Sequence, residues 1–154
     1  MRFSENHGLV YVVKPADNEA GATGESIKMA LYRHITYILQ CGALTGDAVL
    51  TVKSGATDGV QTTSETFHYR LADADQAAAG ADGYGDWTDS SSLTLTAATY
   101  DNRILIIELD ADELTADQPW LTFALSAAAS VHFSSCVAIL SEPRYSYHDM
   151  PSAI

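Results

Sequence analysis

The sequence predicts an all-β protein, built as an antiparallel two-sheet sandwich of eight or nine strands with at most one short helix. Apolar and polar residues alternate in short blocks, and clusters of Gly, Asp, Ser and Ala separate these blocks at intervals of about ten residues. Helical periodicity is scarce. Short strands at this spacing, without strand–helix–strand alternation, are typical of a sandwich or a closed barrel, and we favour the sandwich.

Eight or nine stretches rich in apolar residues are predicted to be strands. Residues 9–13 form the first, and Lys14-Pro15 with a polar loop closes it. Residues 34–53 hold the clearest hairpin pattern, in which a Gly46-Asp47 turn separates strands 35–41 and 48–53. The remaining predicted strands are residues 27–31, 67–71, 93–96, 103–109, 120–125 and 131–140.

Residues 25–41 allow a second interpretation. Their apolar residues are also spaced three or four apart, as on one face of a helix: Ile27, Leu31, Ile35 and Ile38. The β-branched and aromatic density of residues 35–38 fits a pleated surface better than a helix. We predict strands here, and the helix remains the alternative.

The chain is predicted to form one domain over residues 1–154, with a flexible N-terminal arm, 1–8, and a C-terminal tail, 143–154. Residues 72–85 are mostly Ala, Asp and Gly and lack large apolar side chains, so we expect a long surface loop. Residues 110–114 are acidic and favour one short helical turn.

The charge excludes several classes of partner. Twenty Asp and Glu against eight Lys and Arg give a formal net charge of −12, which repels nucleic-acid phosphates. The sequence also lacks the basic amphipathic pattern that binds anionic membranes, and no apolar run approaches the ~20 residues of a spanning helix. We therefore expect no direct contact with nucleic acid or membrane.

Two cysteines, Cys41 and Cys136, lie in strand-like apolar stretches. Residues 1–7 lack the apolar core and cleavage site of a secretory signal, so we expect folding in a reducing cytoplasm. Buried free thiols are the favoured interpretation. A disulfide between the two strands remains the alternative.

Motifs for catalysis or cofactor binding are absent from the sequence. The five histidines lack the spacing of three or four that places two metal ligands on one helix face. There is no Gly-x-Ser-x-Gly elbow, and the glycines near residue 83 lack the strand and Lys-Ser or Lys-Thr pair of a phosphate-binding loop. We expect no enzyme activity, no metal and no cofactor.

Two acidic clusters leave calcium binding as an alternative: Asp110, Asp112 and Glu113, and Asp73, Asp75 and Asp82. An acidic catalytic pair is a separate alternative, for which no particular residues stand out among the 20 Asp and Glu. Carboxylates are suitable calcium ligands, but neither cluster has the spacing of a known calcium loop. A capped turn and a solvated acidic loop are the simpler interpretations. An acidic catalytic pair would need an enclosed pocket with raised carboxylate pKa values.

Aromatic residues in or beside the predicted loops and tail are candidate contact residues: Tyr84, Trp87, Tyr100, Tyr145 and Tyr147. Aromatic side chains outside a core often anchor protein interfaces or stack on sugars. They are therefore our candidate interface.

Three stretches resemble the small capsid proteins of tailed bacteriophages. They are the opening strand with its Ala20–Gly24 loop, the hairpin 34–53, and the ending 135–145, whose last strand closes on the pair Arg144-Tyr145. The strand and acidic turn at residues 107–114 also resemble that group in their order of apolar, polar and acidic residues. The resemblance covers most of the chain and depends on the residue pattern of the strands, not on an invariant motif.

This resemblance implies a jelly-roll decoration, or cement, protein that binds the outer surface of the shell of major capsid proteins and stabilises it. It further implies self-association as a homodimer or homotrimer, a place on the virion exterior after synthesis in the host cytoplasm, and Arg144 as a further interface residue. The alternative is a carbohydrate-binding jelly roll, with or without calcium, in which Trp87, Tyr84 and Tyr100 form a sugar platform.

Overall fold

Two antiparallel β-sheets pack face to face in the computed structural model, which describes residues 3–76, 78–144 and 152–154. These residues contain twelve strands: β1 Gly8–Asp17, β2 Ala22–Thr23, β3 Ile27–Lys28, β4 Tyr32–Leu44, β5 Ala48–Gly55, β6 Thr63–Ser64, β7 Phe67–Leu71, β8 Thr88–Ser90, β9 Leu93–Leu95, β10 Ile104–Asp110, β11 Trp120–Leu125 and β12 His132–Pro143. Two short helices, α1 Phe3–Asn6 and α2 Ala97–Tyr100, and a 3-10 turn, Met29–Leu31, complete them.

The strands wind as a jelly roll. Sheet A has the order β1-β12-β4-β10-β7-β8, and sheet B has the order β2-β11-β5-β6, with β3 beside β11 and β9 beside β5. The chain crosses repeatedly between the sheets and pairs its first long strand with its last. This is the double Greek-key winding of a jelly roll.

The prediction of an all-β, antiparallel two-sheet sandwich is confirmed, whereas the strand count of eight or nine is wrong for the twelve strands described. The additional strands are two or three residues long, too short to show alternation. The prediction of at most one short helix is also wrong: the expected turn at residues 110–114 is non-helical, and two short helices lie at 3–6 and 97–100. The predicted hairpin 34–53 is not formed, because β4 lies in sheet A and β5 lies in sheet B.

Residues 25–41 form strands rather than a helix. They contribute β3, the 3-10 turn and most of the thirteen-residue β4. Within β4, Ile35, Tyr37 and Leu39 are fully buried while the residues between them are partly exposed. The β-branched and aromatic residues pack well there because β4 lies between β12 and β10.

The hydrophobic core lies between the two sheets. Tyr37 of sheet A and Phe123 of sheet B meet with their ring centroids 5.3 Å apart. The largest fully buried side chains are Tyr32, Tyr37, Phe67, Phe123, Ile27, Met29, Ile35, Leu39, Leu50, Leu95, Leu105 and Ile107. None of the helices in the described residues has the length and apolar character needed to cross a membrane.

Both cysteines are free and buried in sheet A. Cys41 lies opposite Ser134 and Cys136 lies opposite Leu39, so the two thiols occupy diagonal positions on neighbouring strands. Burial raises the pKa of the Cys41 thiol to about 12 and also raises the pKa of Cys136. Both side chains are therefore protonated, unreactive core groups at neutral pH.

The chain ends of the described part contact the domain. The predicted N-terminal arm contains helix α1, which lies against β12, and the ring of Phe3 stacks on that of His7, just after the helix, with centroids 4.2 Å apart. In the predicted tail, Ala153 is buried and its carbonyl accepts a 2.7 Å hydrogen bond from the backbone N–H of Lys28. Residues 145–151 lie outside the described part.

Replacing the buried Val52 with Ala should lower the free energy of unfolding by about 2 kcal/mol, because two methyl groups leave the core and a cavity remains. Val60→Ala is the matched control. Val60 is 41% exposed, so its replacement should change the free energy by less than about 0.5 kcal/mol. Urea unfolding at one protein concentration measures both, and equal losses would contradict this core assignment.

Candidate interaction surface

The outer face of sheet A carries a line of apolar side chains across four strands. Tyr11 of β1 pairs with Val137 of β12, Val137 pairs with Ile38 of β4, and Ile38 pairs with Ile106 of β10. Their sequence neighbours point into the core, so alternation turns these four outward. The register alone therefore places four apolar side chains side by side on the outside of the sandwich.

Neighbouring rows extend this line into a patch. Leu9 pairs with Ile139 in the row on one side, and Ile104 pairs with Gln40 in the row on the other. We call the patch the apolar face; it consists of Leu9, Tyr11, Ile38, Ile104, Ile106, Val137 and Ile139.

Solvent reaches much of the apolar face. Tyr11 is 63% exposed, Leu9 59% and Val137 41%. The solvent side of an antiparallel sheet normally carries polar residues. Contiguous exposed apolar surface of this kind marks interaction sites.

Uncharged polar side chains interleave with the apolar face. Thr36 lies in the row of Ile139, and Gln40 and Ser135 lie in the row of Ile104. The hydroxyl of Ser135 donates a 3.2 Å hydrogen bond to the side-chain oxygen of Gln40. Neither the face nor these three residues carries a formal charge, although the chain as a whole has a net charge of −12.

A charged cleft of about 280 Å³ lies beside the apolar face, at the β10 and β7 end of sheet A. Both ring nitrogens of His68 contact carboxylates, at 2.6 Å from Asp89 and 2.8 Å from Glu113. His34 lies 2.7 Å from Asp110. The cleft is lined by His34, His68, Trp87, Glu108, Leu109, Asp110 and Glu113.

The carboxylates around His68 determine its charge. Hydrogen bonds to Glu113 and then to Asp89 raise the pKa of His68 to about 9, so the imidazolium donates both N–H groups at neutral pH. Glu113 also accepts a 2.8 Å hydrogen bond from the backbone N–H of Asp110. These contacts connect β7 and β8 to the turn after β10.

Trp87 and Tyr84, two predicted interface residues, stack on Arg70 of β7. The guanidinium carbon lies 4.7 Å from the centre of the Trp87 ring and 5.0 Å from that of Tyr84. The end of the loop that carries Tyr84 folds back on the sheet, where the Gly85 N–H donates to the Leu71 carbonyl at 3.0 Å. Trp87 lines the cleft and is the predicted residue that borders the candidate surface.

The other predicted interface residues lie elsewhere. Tyr100 is only 7% exposed, because helix α2 turns its side chain into the core, so it cannot form a sugar platform with Trp87 and Tyr84. Arg144 is exposed after the end of β12, where its backbone N–H donates to the Leu31 carbonyl. Tyr145 and Tyr147 lie outside the described residues.

Two carboxylates of the first acidic cluster have structural partners. Glu113 contacts His68 and accepts from the backbone N–H of Asp110, and the Asp110 carboxylate contacts His34. In residues 3–76, 78–144 and 152–154, no group of three or more His, Cys, Asp and Glu side chains is arranged to hold a metal ion.

The sequence reasoning missed the apolar face, although a signal was present. Residues 9–13 and 104–107 are continuous apolar runs rather than alternating ones. Such runs predict strands that are apolar on both faces. One face fills the core, and the other forms the candidate surface.

The fold and this surface define the class: a jelly-roll sandwich with an uncovered apolar sheet face. No protein-family model matches the chain, and no curated protein sequence matches it. Among solved structures, the chain is similar to the SPBc2 prophage-derived protein YomS, with a TM-score of 0.50 and 10% identity. The similarity covers 87% of this chain and 93% of that chain. At this identity it shows a shared fold.

We predict a pH dependence of stability from His68. Its pKa is about 9 in the folded protein and lies near 6.5 in an unfolded chain, so the His68 contacts stabilise fully below pH ~6.5 and are lost as pH rises through ~9. His68→Gln should therefore destabilise at pH 6 and have no effect by pH ~10. Solvent screens the charge of this partly exposed side chain, so the loss in the free energy of unfolding should not exceed about 1 kcal/mol.

Thermal unfolding from pH 6 to 10 measures this effect. Glu113→Gln should reduce the pH dependence, whereas Asp58→Asn, which alters an exposed loop carboxylate, should leave it unchanged. A His68→Gln protein as stable as the parent at pH 6 would contradict the assignment.

Proposed function

We propose that this chain is a structural virion protein of a tailed bacteriophage, which binds the outer surface of the capsid and stabilises the shell as a decoration protein. The observation that carries the proposal is the apolar face. Tyr11, Leu9 and Val137 expose apolar surface that a protein acting alone would gain by covering. A role in assembly gives this surface a partner.

The fold supports the same proposal. The solved structure similar to this chain is described as prophage-derived, and a phage origin for this chain is part of what we propose. A two-sheet sandwich is rigid and presents preformed faces. Little conformational entropy is therefore lost when it docks.

Repetition strengthens such a contact. A shell offers many equivalent sites, so modest affinity at each site of a linked assembly gives a large combined affinity. The formal charge of −12 keeps free copies apart in solution and complements basic patches on a major capsid protein. This role requires no catalysis, no cofactor and no contact with nucleic acid or membrane, and it places the protein on the virion exterior after synthesis in the host cytoplasm.

The test is binding of the purified chain to empty shells assembled from the major capsid protein of the same phage. We expect co-sedimentation that saturates at a fixed ratio to the capsid subunits and a higher disassembly temperature for the decorated shells. No co-sedimentation, or binding without any stabilisation, would contradict the proposed function.

Two lysine variants test whether assembly on the shell needs the apolar face. Val137→Lys places a charge in the apolar face and should weaken shell binding at least about tenfold, which corresponds to about 1.4 kcal/mol. Val60→Lys is the matched control, because Val60 and Val137 are both 41% exposed and Val60 lies outside this face. Equal effects of the two variants would show that the apolar face takes no part.

A further inference from the structure

We propose that the apolar face is covered by a second copy of this chain, so that the protein forms a two-fold dimer with two sheets A packed face to face. This inference deepens the proposed function, because it names the partner that occupies the candidate surface. The residues at its centre are Tyr11, Val137, Ile38 and Ile106.

Charge favours a second copy as the occupant. Each copy carries a formal charge of −12, so two copies repel wherever their charged surfaces meet. The seven residues of the apolar face carry no formal charge. Charges of opposite sign border them on the β10 side, where Glu108 pairs with Thr36 and Arg70 pairs with Ile106. Two acidic copies can therefore meet through an uncharged centre with opposite charges at its border.

The polar groups within this face suit a self-complementary contact. In a two-fold dimer the same patch meets itself, so each polar group must find its partner within this patch. The hydroxyls of Thr36 and Ser135 and the amide of Gln40 can each donate and accept hydrogen bonds, so any pairing among them can be satisfied. Carboxylates in these positions could only accept.

The apolar face can form the centre of such a contact. Its three rows span four strands ~4.8 Å apart and about five residues along each strand, which gives a flat area of roughly 300 Å². A standard interface buries about 800 Å² per partner, so the uneven side-chain surface and the polar border supply the remainder. The β-branched Ile and Val side chains can interdigitate as they do between the sheets of a sandwich.

The experiment is the molar mass of the purified chain by light scattering over a hundredfold range of concentration. We expect about twice the 16.5 kDa chain mass for the parent protein. Val137→Lys and Ile106→Lys should give the single-chain mass, whereas Val60→Lys should remain dimeric. Tyr11→Ser, at an exposed position of an edge strand, weakens the dimer with little effect on the core.

A folding check accompanies the masses. Circular dichroism should be unchanged in the variants, and the unfolding temperature should rise with concentration for the parent but not for Val137→Lys. A monomeric parent, or a dimer that all three apolar-face variants leave intact, would overturn the inference. If the parent is monomeric and Val137→Lys still abolishes shell binding, the shell protein occupies the face, and the proposed function stands without the dimer.

Discussion

The pairing of β4 with β12 is the constraint on which both the core and the candidate surface depend. It places Leu39 opposite Cys136 on the inner side and Ile38 opposite Val137 on the outer side. A slip of one residue in either strand would exchange its inner and outer side chains. Because β1 and β10 pair with the outer edges of these two strands, the same register extends across sheet A. The outer line from Tyr11 to Ile106 is a direct consequence.

This register explains why a strongly acidic protein has an uncharged apolar face. The central strands are apolar on both sides, and packing against sheet B buries only the inner side. A cluster of charged residues lies instead at the β7 and β10 end of sheet A, where His68 bridges Asp89 and Glu113. The molecule thus presents one surface suited to close packing, beside another dominated by charge.

Much of the fold could be predicted from the sequence, whereas the site could not. Alternation located the long strands because it reports which residues face the core, but strands as short as β2 and β6 contain too few residues to show a period. Tyr100 was predicted at an interface from its position near a loop, and helix α2 turns it inward. The apolar face depends on which strands are neighbours, and residues 9–13 and 104–107 are separated by most of the chain.

The central claim is that another protein molecule, a second copy of this chain or the shell protein, covers the outer face of sheet A when the chain is assembled on the shell. Hydroxyl-radical footprinting of the chain, free at high dilution and then bound to shells, tests this claim most directly. The account predicts that Tyr11, Ile38 and Ile106 lose most of their reactivity on assembly while Val60 keeps its own. Unchanged reactivity of Tyr11 and Ile106 in the bound state would contradict it.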